Sequence, residues 1–196
     1  MKDELGRNIN YLRISVTDRC NLRCRYCMPE EGIEKKEHLD ILSLEEVFEV
    51  VKVCADLGTN KIRITGGEPL VRKGLTGLIE KITALKGIKD LALTTNGSLL
   101  KRYARELKKA GLNRINISLD TMDDKKYEYL TRGGKLKDVL EGFHEALEVG
   151  LKPIKINTVL TKGFNEDEIG DFIRLTQKYD IDVRFIELMP LGHAAG

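Results

Sequence analysis

One unit recurs four times along the 196 residues: an amphipathic stretch, a glycine stop, a few residues, then a short β-rich run. Leu57-Gly58 leads to Ile62-Arg63-Ile64-Thr65, Lys86-Gly87 to Leu91-Ala92-Leu93-Thr94, Ala110-Gly111 to Ile115-Asn116-Ile117-Ser118, and Val149-Gly150 to Ile154-Lys155-Ile156-Asn157. Each glycine stands where a helix end calls for positive φ. Tyr11-Leu12-Arg13-Ile14-Ser15 in front and Val183-Arg184-Phe185-Ile186 behind complete six strands separated by helices. The pattern predicts helices at about 43–57, 73–85, 99–110, 123–130, 135–149 and 165–180. Ser43-x-x-Glu46 and Asn165-x-x-Glu168 read as capping boxes at two of their starts.

Short connections and right-handed crossovers turn such a repeat into a parallel α/β sheet, either doubly wound or a barrel or partial barrel. Both architectures gather ligands at the C-terminal strand ends. Those ends here are Ser15 to Cys20, Thr65 to Pro69, Thr94 to Gly97, Ser118 to Asp120, Asn157-Thr158 and Glu187 to Pro190, all polar or turn-rich.

Charge excludes some partners. With 33 Lys and Arg against 31 Asp and Glu, nothing calls for nucleic acid or a membrane surface, so any anion site must be local. No apolar run approaches the roughly 20 residues that span a bilayer, and the N-terminus lacks a secretory signal. The chain reads as soluble and cytoplasmic, with one main domain. Three of its four cysteines crowd into eight residues, which suits metal chemistry in a reducing compartment better than disulfides.

Those three, Cys20, Cys24 and Cys27, form a CxxxCxxC loop directly after the first strand. Three thiolates can wrap one metal centre. Structural zinc wants four ligands, and only Cys54, His38 or His193 could complete such a site. Cys54 belongs instead to a Val47, Val50, Val51, Cys54, Leu57 stripe and is expected to be buried. His144 falls mid-helix and His38 in a charged connection, both without a motif. A 4Fe-4S cluster held by three cysteines keeps one iron open for another ligand.

The loop, joined to Gly66-Gly67-Glu68-Pro69 at the next strand end, resembles the radical S-adenosylmethionine (SAM) superfamily. In that family SAM chelates the open iron, and one electron splits it into methionine and a 5'-deoxyadenosyl radical. Its glycine turn approaches the amino group of SAM, where a Cβ would stand in the way. Asp18-Arg19-Cys20 through Met28-Pro29, Lys61 through Arg72, Thr94-Thr95-Asn96-Gly97, Asn116 through Asp120 and Phe185 through Pro190 narrow the likeness to the molybdenum-cofactor biosynthesis protein A family, GTP 3',8-cyclase. The resemblance implies a six-stranded partial (βα)6 barrel over residues 1–190, with 191–196 a short tail. It implies a lyase that takes hydrogen from C3' of GTP and joins that carbon to C8, the first step of molybdenum cofactor synthesis. By motif position, SAM contacts fall on Tyr26, Gly67, Ser118 and Met189. GTP contacts fall on Arg13, Arg63, Thr94 and Lys155, with Lys61 and Arg184 as further phosphate partners. An electron donor, a downstream cyclic pyranopterin monophosphate synthase and a homodimer are the partners it suggests.

The residues speak for a cation-lined face in their own right. Strand side chains alternate, so Lys61, Arg63 and Thr65 share one face while Ile62 and Ile64 share the other. Family members continue for about another domain, with three more cysteines and a second cluster, whereas this chain stops at Gly196 and is expected to be a truncated form. A radical SAM enzyme acting on another substrate, or a zinc-binding module, are the alternatives.

Overall fold

The computed structural model describes residues 2–33 and 40–189. Six strands, β1 (Tyr11–Ser15), β2 (Lys61–Thr65), β3 (Asp90–Thr95), β4 (Arg114–Ser118), β5 (Ile154–Leu160) and β6 (Ile181–Glu187), lie in that order in one sheet. Every neighbouring pair is parallel. A doubly wound sheet reverses its order at a central crossover; this one never does. β1 and β6 remain its two edges, so the sheet is an open, partial barrel.

The connecting helices are α1 (Leu44–Asp56), α2 (Leu75–Thr83), α3 (Leu100–Lys109), α4 (Asp124–Thr131), α5 (Leu136–Glu148) and α6 (Ile169–Lys178). The repeated glycine stop works as expected: Gly58, Gly87, Gly111 and Gly150 have φ of 100, 99, 94 and 72°. The Ser43 capping box is complete, with the Glu46 amide donating to Ser43 Oγ and the Ser43 amide to Glu46 Oε2.

Strand alternation separates the two faces. Ile62, Ile64, Leu91, Leu93, Ile115 and Ile117 point into a core shared with the helices. Each such side chain contributes about 2 kcal/mol when fully buried. The other face carries Arg13, Lys61, Arg63, Thr94, Asn116, Lys155 and Arg184. That division follows from period-two patterning, and the register carries it across all six strands.

Two local expectations fail. In α1 only Val47 and Val51 are buried; Val50 is 43% exposed, Leu57 55%, and Cys54 is half-buried. α1 has α2 as its helix neighbour near the β1 edge, so only a narrow stripe reaches the core. Asn165 and Glu168 do not form a capping box. Asn165 Nδ2 donates to the carbonyls of Asp120 and Val159, while Glu168 accepts from Thr121 and the Met122 amide, with Lys126 Nζ at 3.0 Å. Both side chains turn inward to satisfy strand-end backbone, a stronger demand than an exposed helix start. His144 packs against the rings of Phe143 and Tyr179, at 5.3 and 5.8 Å between centroids.

Candidate functional site

The cysteine loop leaves β1 and is fastened to the ends of its neighbours. The Gly67 amide donates to the Thr17 carbonyl at 2.7 Å and the Glu68 amide to the Arg19 carbonyl at 2.8 Å. This approach explains the two glycines in a way the sequence does not. A Cβ on Gly67 would stand 2.4 Å from the Arg19 carbonyl oxygen, and one on Gly66 2.6 Å from that of Thr17. The turn is glycine because main chain meets main chain, whatever ligand also rests there.

Glu68 is fully buried, at 0% exposure, and it accepts from Thr95 Oγ1, the Asn96 amide and the Leu70 amide at 2.7–2.9 Å. Its carboxylate thereby ties the β2 end to the β3 end. Burial pushes its pKa up, against the pull of those three donors. Asn96 reaches onward, donating to Asn21 Oδ1 at 3.0 Å and lying 3.8 Å from Cys20 Sγ, while Asn21 donates to Ser98. On the far side Tyr26 donates its hydroxyl to Asp120 Oδ2 at 2.7 Å. Asp120, buried at the end of β4, also accepts from the Val159 amide. Burial, then the Asp120 carboxylate, holds the Tyr26 hydroxyl well above the usual phenol range.

The three loop thiols are free; Cys20 and Cys24 are half-buried and Cys27 is exposed. Burial, followed by Asp120 and the two other cysteines, pushes Cys24 up to about 12. Burial also raises Cys20. Among the described residues no three His, Cys, Asp or Glu side chains converge on a single ion. In a cluster each thiolate binds a different iron, so its sulfurs surround a larger body. His38 and His193 lie outside the described residues.

Below the loop lies the polar sheet face. Arg13 and Arg63 are register partners on β1 and β2, with Lys61 one step lower. Arg63 has a buried Nε without a partner, and its guanidinium stands 5.6 Å from the Tyr11 ring. Asn116, at 0% exposure, lies between its register partners Thr94 and Lys155; it donates to Thr94 Oγ1 at 3.3 Å, and its Oδ1 has no partner. Two orphaned polar atoms on one face are what a polar ligand would satisfy. Lys155 is paired with Asp182 on β6. The cation lies on the expected face, but a carboxylate of the next strand neutralises it. Arg13, Lys61 and Arg184 are exposed, and Thr94 and Ser118 half-exposed. Met189, beyond β6, is 62% exposed.

The sequence reading missed one further cation here, Arg114, held by Asp90. It also missed the Asp120 acceptor and the fastening role of Asn96. Asp120 and Asn96 stood in strand-end motifs and were visible as polar termini, but their partners lie in distant segments. Arg114 begins β4, outside any motif.

Residues 14–176 match the family model described as the Radical SAM superfamily. The chain belongs to that superfamily. It is 64% identical to a GTP 3',8-cyclase of Peptoclostridium acidaminophilum over 96% of its own length and 58% of that protein's. A GTP 3',8-cyclase of Alkaliphilus metalliredigens is 60% identical, covering 100% of this chain and 61% of the relative. The chain thus spans about three-fifths of these relatives. Among solved structures, Streptococcus suis SuiB with its precursor peptide superimposes with a TM-score of 0.76 at 24% identity, over 92% of this chain and 39% of SuiB. HydG, a maturase of the [FeFe]-hydrogenase, gives 0.73 at 18%, over 94% of this chain and 44% of HydG. At those identities the likeness is one of fold.

A 4Fe-4S cluster and SAM are the cofactors that radical SAM membership implies. The donor set fits the cluster: three free thiols in one loop, with Cys20 and Cys27 close enough to add to the upward push on Cys24, and one of four iron positions left for a further ligand. No helix among the described residues is long and apolar enough to cross a membrane.

Proposed function

We propose that this chain is the radical SAM core of a GTP 3',8-cyclase, with the cysteine loop above and the triphosphate cradle below on one sheet face. The observation that carries the reading is the Arg13–Arg63 register pair, where the Arg63 Nε is buried and unpartnered on the face beneath the loop. Asp90 is the carboxylate near Arg63 and Lys61 and is already held by Arg114, so the cations outnumber it, and a triphosphate would supply the remaining negative charge. The identity of 64% and 60% to cyclases supports the same reading.

In this reading Cys20, Cys24 and Cys27 would hold the cluster, whose bound chemistry is one-electron cleavage of SAM to a carbon-centred radical. Tyr26, Gly67, Ser118 and Met189 would line the SAM position. Asp120 would keep Tyr26 aimed by accepting the hydrogen bond from its hydroxyl. Arg13, Lys61 and Arg63 would draw the triphosphate to the lower rows of the sheet and so leave the ribose toward the loop, while Arg184, level with Ser118 and Asn157, would meet a phosphate from the β6 edge. Thr94 would add a hydroxyl at the middle row. Lys155 would exchange Asp182 for phosphate when the nucleotide arrives. An electron donor, a synthase that consumes the cyclised nucleotide to make cyclic pyranopterin monophosphate, a homodimer and a cytoplasmic location belong to the same proposal.

The test compares the chain with Arg63→Ala after anaerobic reconstitution with iron and sulfide. A bidentate charge-assisted contact is worth about 1.5–3 kcal/mol, so GTP should bind roughly 10- to 100-fold more weakly to the variant. The cluster absorbance should be unchanged. Equal GTP affinity in both proteins contradicts the assignment, as does loss of the cluster in the variant.

A further inference from the structure

The α4 end is built against the cysteine loop. The Arg23 amide donates to the Thr131 carbonyl at 3.2 Å and the Arg25 amide to the Leu130 carbonyl at 2.9 Å. The Arg25 guanidinium adds a bond to the Tyr129 carbonyl and lies 4.0 Å from the Tyr129 ring centroid. The chain then turns at Arg132 in the left-handed region, with φ 55 and ψ 56°. Among the described residues it is the only non-glycine with positive φ. A long side chain is strained there, and glycine would take the position freely.

What arginine adds is a terminal NH2 whose two hydrogens reach two carbonyls at once. Arg132 Nη1 donates to the Arg23 carbonyl at 2.6 Å and to the Met28 carbonyl at 2.9 Å. Those two carbonyls stand immediately before Cys24 and immediately after Cys27, so one guanidinium group bridges the two ends of the Cys24–Cys27 segment. Its Nε is buried without a partner, so the side chain has been brought inward rather than left in solvent. The clamp uses main-chain oxygens only and leaves every thiol free for a metal.

We propose that Arg132 is a positioning residue for the cluster: it closes the Cys24–Cys27 segment into ligating shape and keeps a positive charge beside it. The inference rests on the cysteines being the cluster ligands, and it is independent of whether GTP is the substrate. Backbone strain spent at one residue is thereby exchanged for a loop that does not have to be ordered when iron binds.

The experiment uses the whole chain with two variants, Arg132→Gly and Arg132→Lys. Glycine suits the left-handed backbone, and the roughly 1–2 kcal/mol relieved there offsets most of the two lost hydrogen bonds, so Arg132→Gly should stay folded and melt within a few degrees of the parent. In the iron-free protein, amide exchange at residues 24–28 should rise on the order of tenfold in Arg132→Gly, as expected from losing two hydrogen bonds. After reconstitution, iron should leave faster to a chelator, and the cluster midpoint potential should move to more negative values because a nearby cation favours the reduced state. Arg132→Lys, which keeps the charge but is shorter and lacks the planar NH2 that meets both carbonyls, should retain the potential while still exchanging faster. Parent-like exchange and iron release in a folded Arg132→Gly would overturn the proposal. A failure of the chain to bind iron at all, parent included, would instead overturn the ligand assignment beneath it.

Discussion

Replacing Gly67 with alanine separates two reasons for a glycine at the β2 end. If the residue is glycine because the cysteine loop docks on it, the damage appears before any cofactor is present. The new Cβ would sit 2.4 Å from the Arg19 carbonyl oxygen and 2.6 Å from that of Asp18, both main-chain atoms that cannot swing aside. Overpacking of this kind costs about 1–3 kcal/mol. The bonds from the Gly67 and Glu68 amides to Thr17 and Arg19 are strained in the same movement, each worth about 1 kcal/mol. Together these give about 3 kcal/mol. For a chain of 196 residues that is a fall of roughly 9 °C in melting temperature. Urea unfolding of the iron-free protein reads the loss directly. Gly77→Ala in α2 is the control, since a Cβ there meets nothing within 4 Å; it should gain about 0.5–1 kcal/mol from helix propensity. An iron-free Gly67→Ala as stable as the parent, yet unable to bind SAM, would refute the docking argument and leave the glycine to the ligand.

Other consequences can be checked separately. Glu68→Gln keeps the shape of the side chain but turns an amide toward donors from Thr95, Asn96 and Leu70; it should destabilise by about 1–3 kcal/mol, measured by denaturation, and loosen the β2–β3 ends in hydrogen exchange. Hydrogen bonding to Arg114 holds the Asp90 carboxyl below its usual range, so the pair contributes stability above the unfolded pKa of about 3.9 and loses it as pH falls through the lower folded value. Asp90→Asn should therefore cost about 1 kcal/mol at pH 7, a difference that shrinks toward zero in unfolding curves taken well below pH 4. Asn165→Ala removes the donors to the Asp120 and Val159 carbonyls and the acceptor for the Thr161 amide; about 2 kcal/mol should be lost, with faster exchange confined to the β5–α6 connection.

Much of this architecture is local and therefore legible in the chain. The glycine stops at 58, 87, 111 and 150 punctuate helices by a conformational rule that needs no partner, and strand alternation sorts Ile62 and Ile64 from Lys61 and Arg63 by period alone. Elements found this way, repeated in one order, leave few topologies for the sheet. The fastening of the site is different in kind. Tyr26 meets Asp120 across 94 residues, Glu68 meets Thr95 across 27, and Arg132 meets Arg23 across 109. No pattern in a linear sequence announces such pairs. The same holds for charge balance: Lys155 reads as a free cation until β6 brings Asp182 beside it, and Arg114, outside any motif, gains its place only when β3 sets Asp90 against it. Asn165 shows the opposite error, where a local capping signal was real in composition but buried backbone claimed the side chain first.

Under the proposed function, the SAM end and the triphosphate end of one reaction would share a sheet face, with the ribose of GTP held against the cysteine loop. The most direct test is to supply the anaerobically reconstituted chain with SAM, a reductant and GTP carrying deuterium at C3'. The expected products are 5'-deoxyadenosine that has gained deuterium and a cyclised nucleotide. Deoxyadenosine formed at the same rate without deuterium would contradict that reading, because the SAM end would then be working with no ribose held in front of it.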